Sequence, residues 1–152
     1  MSNLLPDDAK TAGRALLEAI EGGEPAPPGY IVNLGLAVSS ITWQPGKLVA
    51  QFVFTDAVCS LPGIVFGGYA AAILDQIGGM VMFGVLPDNL TFITTRLDTR
   101  FLTALRPGPA TVEAEVSQLS EEAAQVEVAI IQDGVVTSHA VVTQSLRSFP
   151  VR

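Results

Sequence analysis

A single carboxylate stands inside the most apolar stretch of the sequence, residues 64–86, where Asp75 is the one charged residue. A carboxylate is costly to bury in such surroundings unless it is paired, and no neighbour along the stretch could form an ion pair with it. Asp75 must therefore reach a cavity, a hydrogen-bonding strand or a subunit interface. In a cavity it could act as a general base, whereas at an interface it could be a purely structural group.

Two consecutive glycines, Gly67 and Gly68, stand where a helix would begin within this stretch. The free backbone N–H groups at a helix N-terminus favour negative charge, and glycine lets a ligand approach that backbone closely. The pair could therefore stabilise the oxyanion of a tetrahedral intermediate. The alternative is that the glycines serve only a tight turn and a close contact between helix and sheet.

The spacing of these groups limits how they could act together. Gly67 and Asp75 would lie about 12 Å apart along a helix that rises about 1.5 Å per residue. One helix cannot easily bring both to the same carbonyl group. Two antiparallel helices related by a two-fold axis could do so, with Gly67 of one copy facing Asp75 of the other.

The elements that must position these groups are one long helix and several strands. Residues 67–86 are apolar on nearly every side and end at the Pro-Asp-Asn sequence 87–89, so this helix must be covered nearly all round. Residues 7–20 predict a short amphipathic helix, followed by a proline-rich linker at 24–29. Alternation and turn residues predict six strands, at 34–43, 48–54, 92–103, 110–119, 123–132 and 135–147.

This order of elements predicts an α+β fold. No strand–helix–strand unit repeats, which argues against a doubly wound parallel sheet. A curved antiparallel sheet wrapped around the long apolar helix would supply the cover that the helix needs. We expect residues 1–29 to form an N-terminal helix and linker, and residues 30–152 to form a single domain.

The strand predicted at 92–103 carries several polar residues that could take part in a site. Strict alternation would place Thr94, Arg96 and Arg100 on one face of the sheet. The same alternation would place Thr95 on the opposite face, with Leu97.

The composition indicates an acidic protein with extensive apolar surface. The 152-residue chain carries a net charge of -7, which disfavours a nucleic-acid partner because such proteins usually show a basic stripe. Hydrophobic residues make up 49% of the chain and charged residues only 15%. A chain so poor in charge is expected to cover apolar surface with a second copy, as a homodimer or a larger homo-oligomer.

Scarce residue types exclude several kinds of chemistry. The chain has one cysteine, Cys59, and one histidine, His139, so we expect no metal site and no cofactor. A lone cysteine cannot form an intramolecular disulfide, which suits a reducing, cytoplasmic location. Residues 1–10 lack the features of a signal peptide, and a charge near the middle of 64–86 disfavours a membrane span.

The glycine pair, the Leu74–Asp75 step, the strand 94–102 and the following Arg106–Pro107 together resemble the hotdog-fold acyl-CoA thioesterases of the phenylacetate-pathway type. The resemblance extends over residues 32–146. It implies a curved sheet around a long helix, dimers with a continuous sheet, and often tetramers made of two dimers.

The resemblance also implies roles for individual residues. The family's aspartate, a nucleophile or general base, corresponds to Asp75. The glycine whose N–H polarises the thioester carbonyl corresponds to Gly67, with Gly68 beside it. A hydroxyl that assists the aspartate corresponds to Thr94, with Thr95 as the neighbouring candidate.

Two residues depart from the family pattern at positions expected to contact substrate. Phe66 stands where the family usually has histidine, and Ser60 where it often has asparagine. These departures leave three hypotheses open: hydrolysis of an acyl thioester, binding of an acyl thioester without cleavage, and a structural oligomerisation module.

A coenzyme A substrate would require cations for its phosphates. Arg96, Arg100 and Arg106 are the candidates, because guanidinium groups bind phosphate well. The alternative is that Arg96 and Arg100 pair with Asp98 on an exposed sheet face.

Overall fold

The secondary structure consists of three α-helices and eight strands within the residues that the computed structural model describes, 4–24 and 26–149. The helices are α1 (Ala12–Glu21), α2 (Gly29–Leu34) and α3 (Gly67–Met80). The strands are β1 (Ser40–Gln44), β2 (Lys47–Phe54), β3 (Cys59–Leu61), β4 (Ile64–Val65), β5 (Leu90–Phe101), β6 (Gly108–Leu119), β7 (Ala123–Gln132) and β8 (Val135–Ser148). Short 3₁₀ helices lie at Asp56–Val58 and Val81–Gly84.

Six strands form one antiparallel sheet in the order β1-β2-β6-β7-β8-β5, while β3 and β4 form a separate small hairpin. Helix α3 contacts β2, β5, β6, β7 and β8 of the large sheet. This is the predicted α+β arrangement of an antiparallel sheet around one long helix, with α1 as the N-terminal helix. Strand β5 is at the edge, so one side of it lacks a neighbouring strand in the described residues.

The side of α3 that faces the sheet is held by burial of aliphatic side chains. Ile73, Leu74 and Ile77 have no exposed surface. The strands β6, β7 and β8 present equally buried valines on the facing side of the sheet: Val112, Val126 and Val142. Burying one such side chain contributes about 1.5–3 kcal/mol, so this contact is the main source of the helix's stability.

The opposite arc of α3 is only partly covered. Ala71, Ala72, Asp75 and Gln76 are half-buried, although the residues between them and the sheet are fully buried. The single chain therefore leaves a strip of small residues, with the one carboxylate, open along α3.

The long helix is shorter than the sequence predicts. It ends as an α-helix at Met80 and continues as the 3₁₀ helix Val81–Gly84, where the N–H of Val81 donates to the carbonyls of Ile77 and Gly79. The 3₁₀ geometry tightens the last turn and satisfies carbonyls that a helix end leaves free. In the ranges 4–24 and 26–149, no helix is both long and apolar enough to cross a membrane.

The prediction of a strand at 34–43 is wrong in its first part. The preceding residues form α2, which follows Pro28 and ends at Gly35 with a left-handed φ of 66°. Proline before a helix and a left-handed glycine after it are the ordinary signals of a short helix, and they outweigh the weak alternation. Strand β1 begins only at Ser40.

Strand β5 contains a bulge that changes which side chains face α3. The register with β8 shifts between Thr94 and Arg96. The strict alternation expected for this strand is therefore wrong: Thr94 faces α3, whereas Arg96 and Arg100 face away from it. A bulge inserts one extra residue, and this reverses the faces of every residue beyond it.

The N-terminal helix is fastened to the end of the central helix by a buried arginine. Arg14 is 5% exposed, and its Nε donates to the carbonyl of Gly84 at 2.9 Å. Its Nη1 lies within 3.0 Å of the carbonyl oxygens of Pro6, Asp7 and Ala9. The guanidinium thus links the segment before α1 to the 3₁₀ helix that follows α3.

Replacing Arg14 with methionine, which keeps most of the apolar stem, is expected to lower the free energy of unfolding by about 2–3 kcal/mol, because several carbonyls lose a charged donor. Urea denaturation measures this value. Arg147→Met is the matched control, since among the residues with described placement Nη1 of Arg147 has one acceptor, the adjacent Leu146 carbonyl at 3.4 Å. Equal losses in the two variants would contradict the fastening role of Arg14.

Candidate active site

The start of α3 is fixed by backbone contacts on both sides of Val65. The N–H of Val65 donates to the carbonyl of Leu105 at 2.9 Å, and the N–H of Phe66 donates to the carbonyl of Val58 at 2.9 Å. Phe66 then serves as the N-cap with an extended backbone, and its carbonyl accepts the first helical hydrogen bonds. These hydrogen bonds therefore fix the backbone at the point where the first turn of the helix begins.

Two N–H groups remain free at this junction. Those of Gly67 and Gly68 have no acceptor among the residues of known placement. They are the first two residues of a 14-residue helix, whose N-terminal end carries partial positive charge. Preorganised donors of this kind are what an oxyanion requires.

Two aromatic rings flank the glycine pair. A Cβ on Gly68 would lie 2.5 Å from Cε1 of Phe66, and a Cβ on Gly67 would lie 3.4 Å from Cζ of Phe101. Both rings are themselves 56% exposed. The ring of Phe66 therefore occupies the space beside Gly68, and a methyl group at this position would require the ring to move.

The carboxylate of Asp75 accepts a hydrogen bond from the sheet. Oγ1 of Thr94 donates to Oδ1 of Asp75 at 2.9 Å. The neighbouring hydroxyl of Thr95 points elsewhere and donates to the carbonyl of Thr143 at 3.2 Å. The structure thus brings Thr94 and Asp75 together and separates Thr95 from them, because Thr95 is the extra, unpaired residue of the bulge in β5.

Helix α2 lies beside the open arc of α3 and is tied to it by two tyrosines. Tyr30 donates to Oε1 of Gln76 at 3.1 Å, and Tyr69 donates to the carbonyl of Gly35. Burial raises the pKa of the Tyr69 hydroxyl above its ordinary value, which itself lies well above neutral pH. The sequence interpretation missed this tie because it assigned no helix to α2.

The three arginines predicted for phosphate binding lie in two different places. Arg96 and Arg100 are on the face of β5 that points away from α3, where Nε of Arg96 lies 2.7 Å from Oδ2 of Asp98. The hydrogen bond with Asp98 raises the pKa of Arg96 above its ordinary value. Arg106 lies nearer the start of α3, with Nη1 at 3.4 Å from the carbonyl of Gly63.

The candidate site residues therefore fall into separate groups within one chain. The first group surrounds the start of α3 and consists of Phe66, Gly67 and Gly68, with the exposed Ser60 in β3 and Arg106 near the hairpin that leads into the helix. The second group is the Asp75–Thr94 pair, two turns further along α3. Sequence reasoning gave Phe101 no part in the first group; its place at the inward-facing end of β5 was the available signal.

No metal site accompanies these groups in the part of the chain that the structure describes. No three His, Cys, Asp or Glu residues lie close enough together to hold an ion. The one histidine, His139, lies 3.6 Å from Glu127 on the sheet face away from α3.

A profile of the thioesterase superfamily matches residues 62–139, which is about half of the chain. The chain belongs to the thioesterase superfamily. The matched region contains α3, the glycine pair, Asp75 and Thr94. No curated protein sequence matches the chain significantly.

Solved structures share the fold over most of their length. A phenylacetic acid degradation-related protein of Ralstonia eutropha JMP134 is 26% identical, with 85% of this chain and 98% of that chain covered and a TM-score of 0.73. A thioesterase of Haemophilus influenzae is 17% identical, with 90% and 93% covered and a TM-score of 0.76. A hypothetical thioesterase protein of Streptococcus pneumoniae TIGR4, solved with coenzyme A, is 20% identical, with 78% and 97% covered and a TM-score of 0.67. The architecture is the hotdog fold that the sequence predicts.

The proximity of Phe66 to Gly68 can be tested by a double substitution. In a Phe66→Ala background, Gly68→Ala is expected to raise the free energy of unfolding by about 0.5–1 kcal/mol, the usual preference of a helix for alanine. With Phe66 present this gain is expected to disappear, because the ring must leave the space that the new methyl group takes. Thermal denaturation of the four proteins measures the difference, and the same gain in both backgrounds would show that the ring does not cover Gly68.

Proposed function

We propose that the protein hydrolyses an acyl thioester of coenzyme A or a related carrier. The observation that carries the proposal is the hydrogen bond from Thr94 to Asp75, which holds the one carboxylate of an otherwise apolar helix in a fixed orientation. The free N–H groups of Gly67 and Gly68 support it, because they offer a place for the negative charge that thioester hydrolysis develops. Membership of the thioesterase superfamily supports the same reaction.

In the proposed reaction Asp75 acts through the oxygen that Thr94 leaves free. Oδ1 accepts the threonine hydroxyl, so Oδ2 is available to take a proton from water as a general base. The water oxygen then bonds to the thioester carbon, and the carbonyl electron pair moves to the oxygen beside the Gly67 N–H. When this intermediate collapses, the C–S bond breaks and the carbonyl of the acid product re-forms. The departing thiolate takes the proton that Asp75 removed from water, which regenerates the carboxylate. Direct attack by Oδ2 on the carbon, followed by hydrolysis of the anhydride, uses the same geometry.

The two groups of one chain are too far apart to act on one carbonyl, so we propose that the site forms between two copies. The half-buried arc of α3, with Ala71, Ala72 and Asp75, would face the same arc of an antiparallel partner helix. The unpaired edge of β5 would continue into the partner's sheet, which removes an exposed edge. Gly67 of one copy would then approach Asp75 of the partner subunit.

Arg106 is the arginine best placed to contact a phosphate of the carrier, because it lies beside the hairpin that leads into α3. Arg96 and Arg100 would contact the carrier only if it crossed the β5 edge to the outer face, where Asp98 competes for Arg96. A homologous fold in Streptococcus pneumoniae was solved with coenzyme A.

A second candidate function is binding of an acyl thioester without cleavage. The observation that favours it is Phe66, an exposed ring without hydrogen-bonding groups at the start of α3. Calorimetric binding of a non-hydrolysable acyl-CoA analogue, together with no thiol release from any natural thioester, would support this candidate. Turnover that depends on Asp75 would exclude it.

Asp75→Asn is expected to lower kcat for thiol release by about 10²- to 10⁴-fold, because the amide cannot take a proton from water. The measurement is thiol release from short, long and aromatic acyl-CoAs. Asp133→Asn is the matched control: it makes the same chemical change in the β7–β8 turn, where Asp133 has a φ of 52° that asparagine also tolerates. Undiminished turnover in Asp75→Asn would reject the mechanism.

The shared site can be tested by mixing two inactive variants. Gly67→Pro removes the N–H at the first helical position, where proline is tolerated, and the φ of -58° and ψ of 127° at Phe66 suit a residue before proline. Each of Gly67→Pro and Asp75→Asn alone is expected to be inactive.

When the two variants are unfolded and refolded together in equal amounts, about one quarter of wild-type activity is expected to return, since half of the dimers are mixed and one of their two sites is intact. Size-exclusion chromatography with light scattering establishes the dimer. A mixture as inactive as its components would show that the site lies within one chain.

A further inference from the structure

A buried glutamine links the last turn of the central helix to the sheet. Gln144 in β8 has no exposed surface, and its Nε2 donates to the carbonyl oxygen of Gly78 at 3.1 Å. Gly78 belongs to the last turn of α3, where carbonyls lack a full set of donors within the helix. The amide of Gln144 supplies one of the missing donors from the strand beneath.

This contact is possible because the helix lies unusually close to the sheet at this point. A Cβ on Gly78 would lie 2.8 Å from Cγ2 of Val142, and a Cβ on Gly79 would lie 3.1 Å from the ring of Phe92. Neither position could carry a side chain without displacing a core residue. The two glycines therefore let strands β5 and β8 come close to the helix backbone.

Gln144 is also the register partner of Thr94 across strands β8 and β5. Paired residues of neighbouring strands project from the same face of a sheet. Thr94 holds the side chain of Asp75, and Gln144 holds the carbonyl of Gly78, three residues further along the helix. Two hydrogen bonds from adjacent strands thus hold α3 on either side of one turn, which restricts both its rotation and its sliding along the sheet.

The amide of Gln144 is not what the stability of the core alone would favour. Its Oε1 is buried and has no hydrogen-bond partner among the described residues. An unsatisfied buried oxygen costs free energy of folding, and an apolar side chain of similar length would avoid that cost. Residues that lower stability in this way are commonly retained where function needs them.

We infer that Gln144 is a positioning residue, which sets the height and rotation of α3 and thereby places the carboxylate of Asp75 for reaction. This inference rests on the proposed thioester hydrolysis. Gln144 does not touch the reacting atoms; it acts through the backbone of α3. A small displacement of a catalytic group is sufficient to slow a reaction severely, which is why such an anchor matters.

Gln144→Met tests the role, because methionine has a similar length and flexibility but no donor. We expect kcat for thiol release to fall about 10- to 100-fold, with KM changed less than about twofold and the melting temperature unchanged or higher. Gln144→Leu serves as a second variant should the methionine protein fold poorly. Thr137→Val is the control: it removes a buried hydrogen bond of the same strand, from Oγ1 to the carbonyl of Ile130 in β7, which does not involve α3.

A kcat equal to that of the wild type in either folded Gln144 variant would overturn the inference. A fall in melting temperature with unchanged kcat would do the same, since it would assign Gln144 a structural role only. Loss of kcat in Thr137→Val of the same size would also overturn it, because any lost hydrogen bond in β8 would then suffice.

The double variant Gln144→Met with Thr94→Val tests whether the two residues affect kcat through the same placement of Asp75 or independently of each other. If both residues act by placing Asp75, the combined loss in kcat is smaller than the product of the single losses. A combined loss in kcat equal to the product of the two single losses would show that Gln144 and Thr94 do not act through a common placement of Asp75. Absence of turnover in the wild type would instead overturn the proposed function and this inference with it, whereas turnover that is lost in Asp75→Asn but kept in Gln144→Met would overturn the inference alone.

Discussion

The organisation of this protein depends on how one carboxylate is accommodated on an apolar helix. Asp75 cannot lie against the sheet as its neighbours do, because a buried carboxylate without partners is strongly unfavourable. It lies instead on the half-covered arc of α3, where Thr94 supplies a hydrogen bond from the edge strand. Thr94 lies just before the bulge in β5 and faces the helix, and the bulge turns the arginines beyond it to the other face.

Hydrophobic periodicity and turn residues were sufficient to predict the helix and the antiparallel sheet. The pairing of Thr94 with Asp75 was implied by the family resemblance alone, and the structure has the hydrogen bond between them. The sequence was not sufficient to predict on which face of the sheet Arg96 and Arg100 lie. The sequence Thr94–Thr95 does not show that a bulge inserts an extra residue here. The alternation of faces predicted for the residues beyond the bulge was therefore wrong. Helix α2 was missed for another reason: its start and end signals at Pro28 and Gly35 surround only one turn and a half of chain, too short for helical periodicity.

The two candidate functional groups of α3, the glycine N–H groups and the Asp75 carboxylate, would have different structural requirements in the proposed reaction. The free N–H groups of Gly67 and Gly68 need a helix end that stays open to a ligand, and Phe66 and Phe101 border that opening. Asp75 needs a fixed orientation deeper along the helix. A straight helix separates these positions by about 12 Å at its usual rise. In the proposed reaction they would therefore serve two different sites, each completed by a second copy across a two-fold axis.

Arg14 holds the segment before α1 through backbone atoms, so these contacts tolerate sequence changes in that segment. Arg14 donates hydrogen bonds to the carbonyl oxygens of Pro6, Asp7 and Ala9, which are all backbone atoms. Backbone oxygens are present whatever the residue type, so these three hydrogen bonds do not depend on the side chains at positions 6, 7 and 9. A label attached to the side chain of Asp7 would therefore leave the acceptors of Arg14 in place.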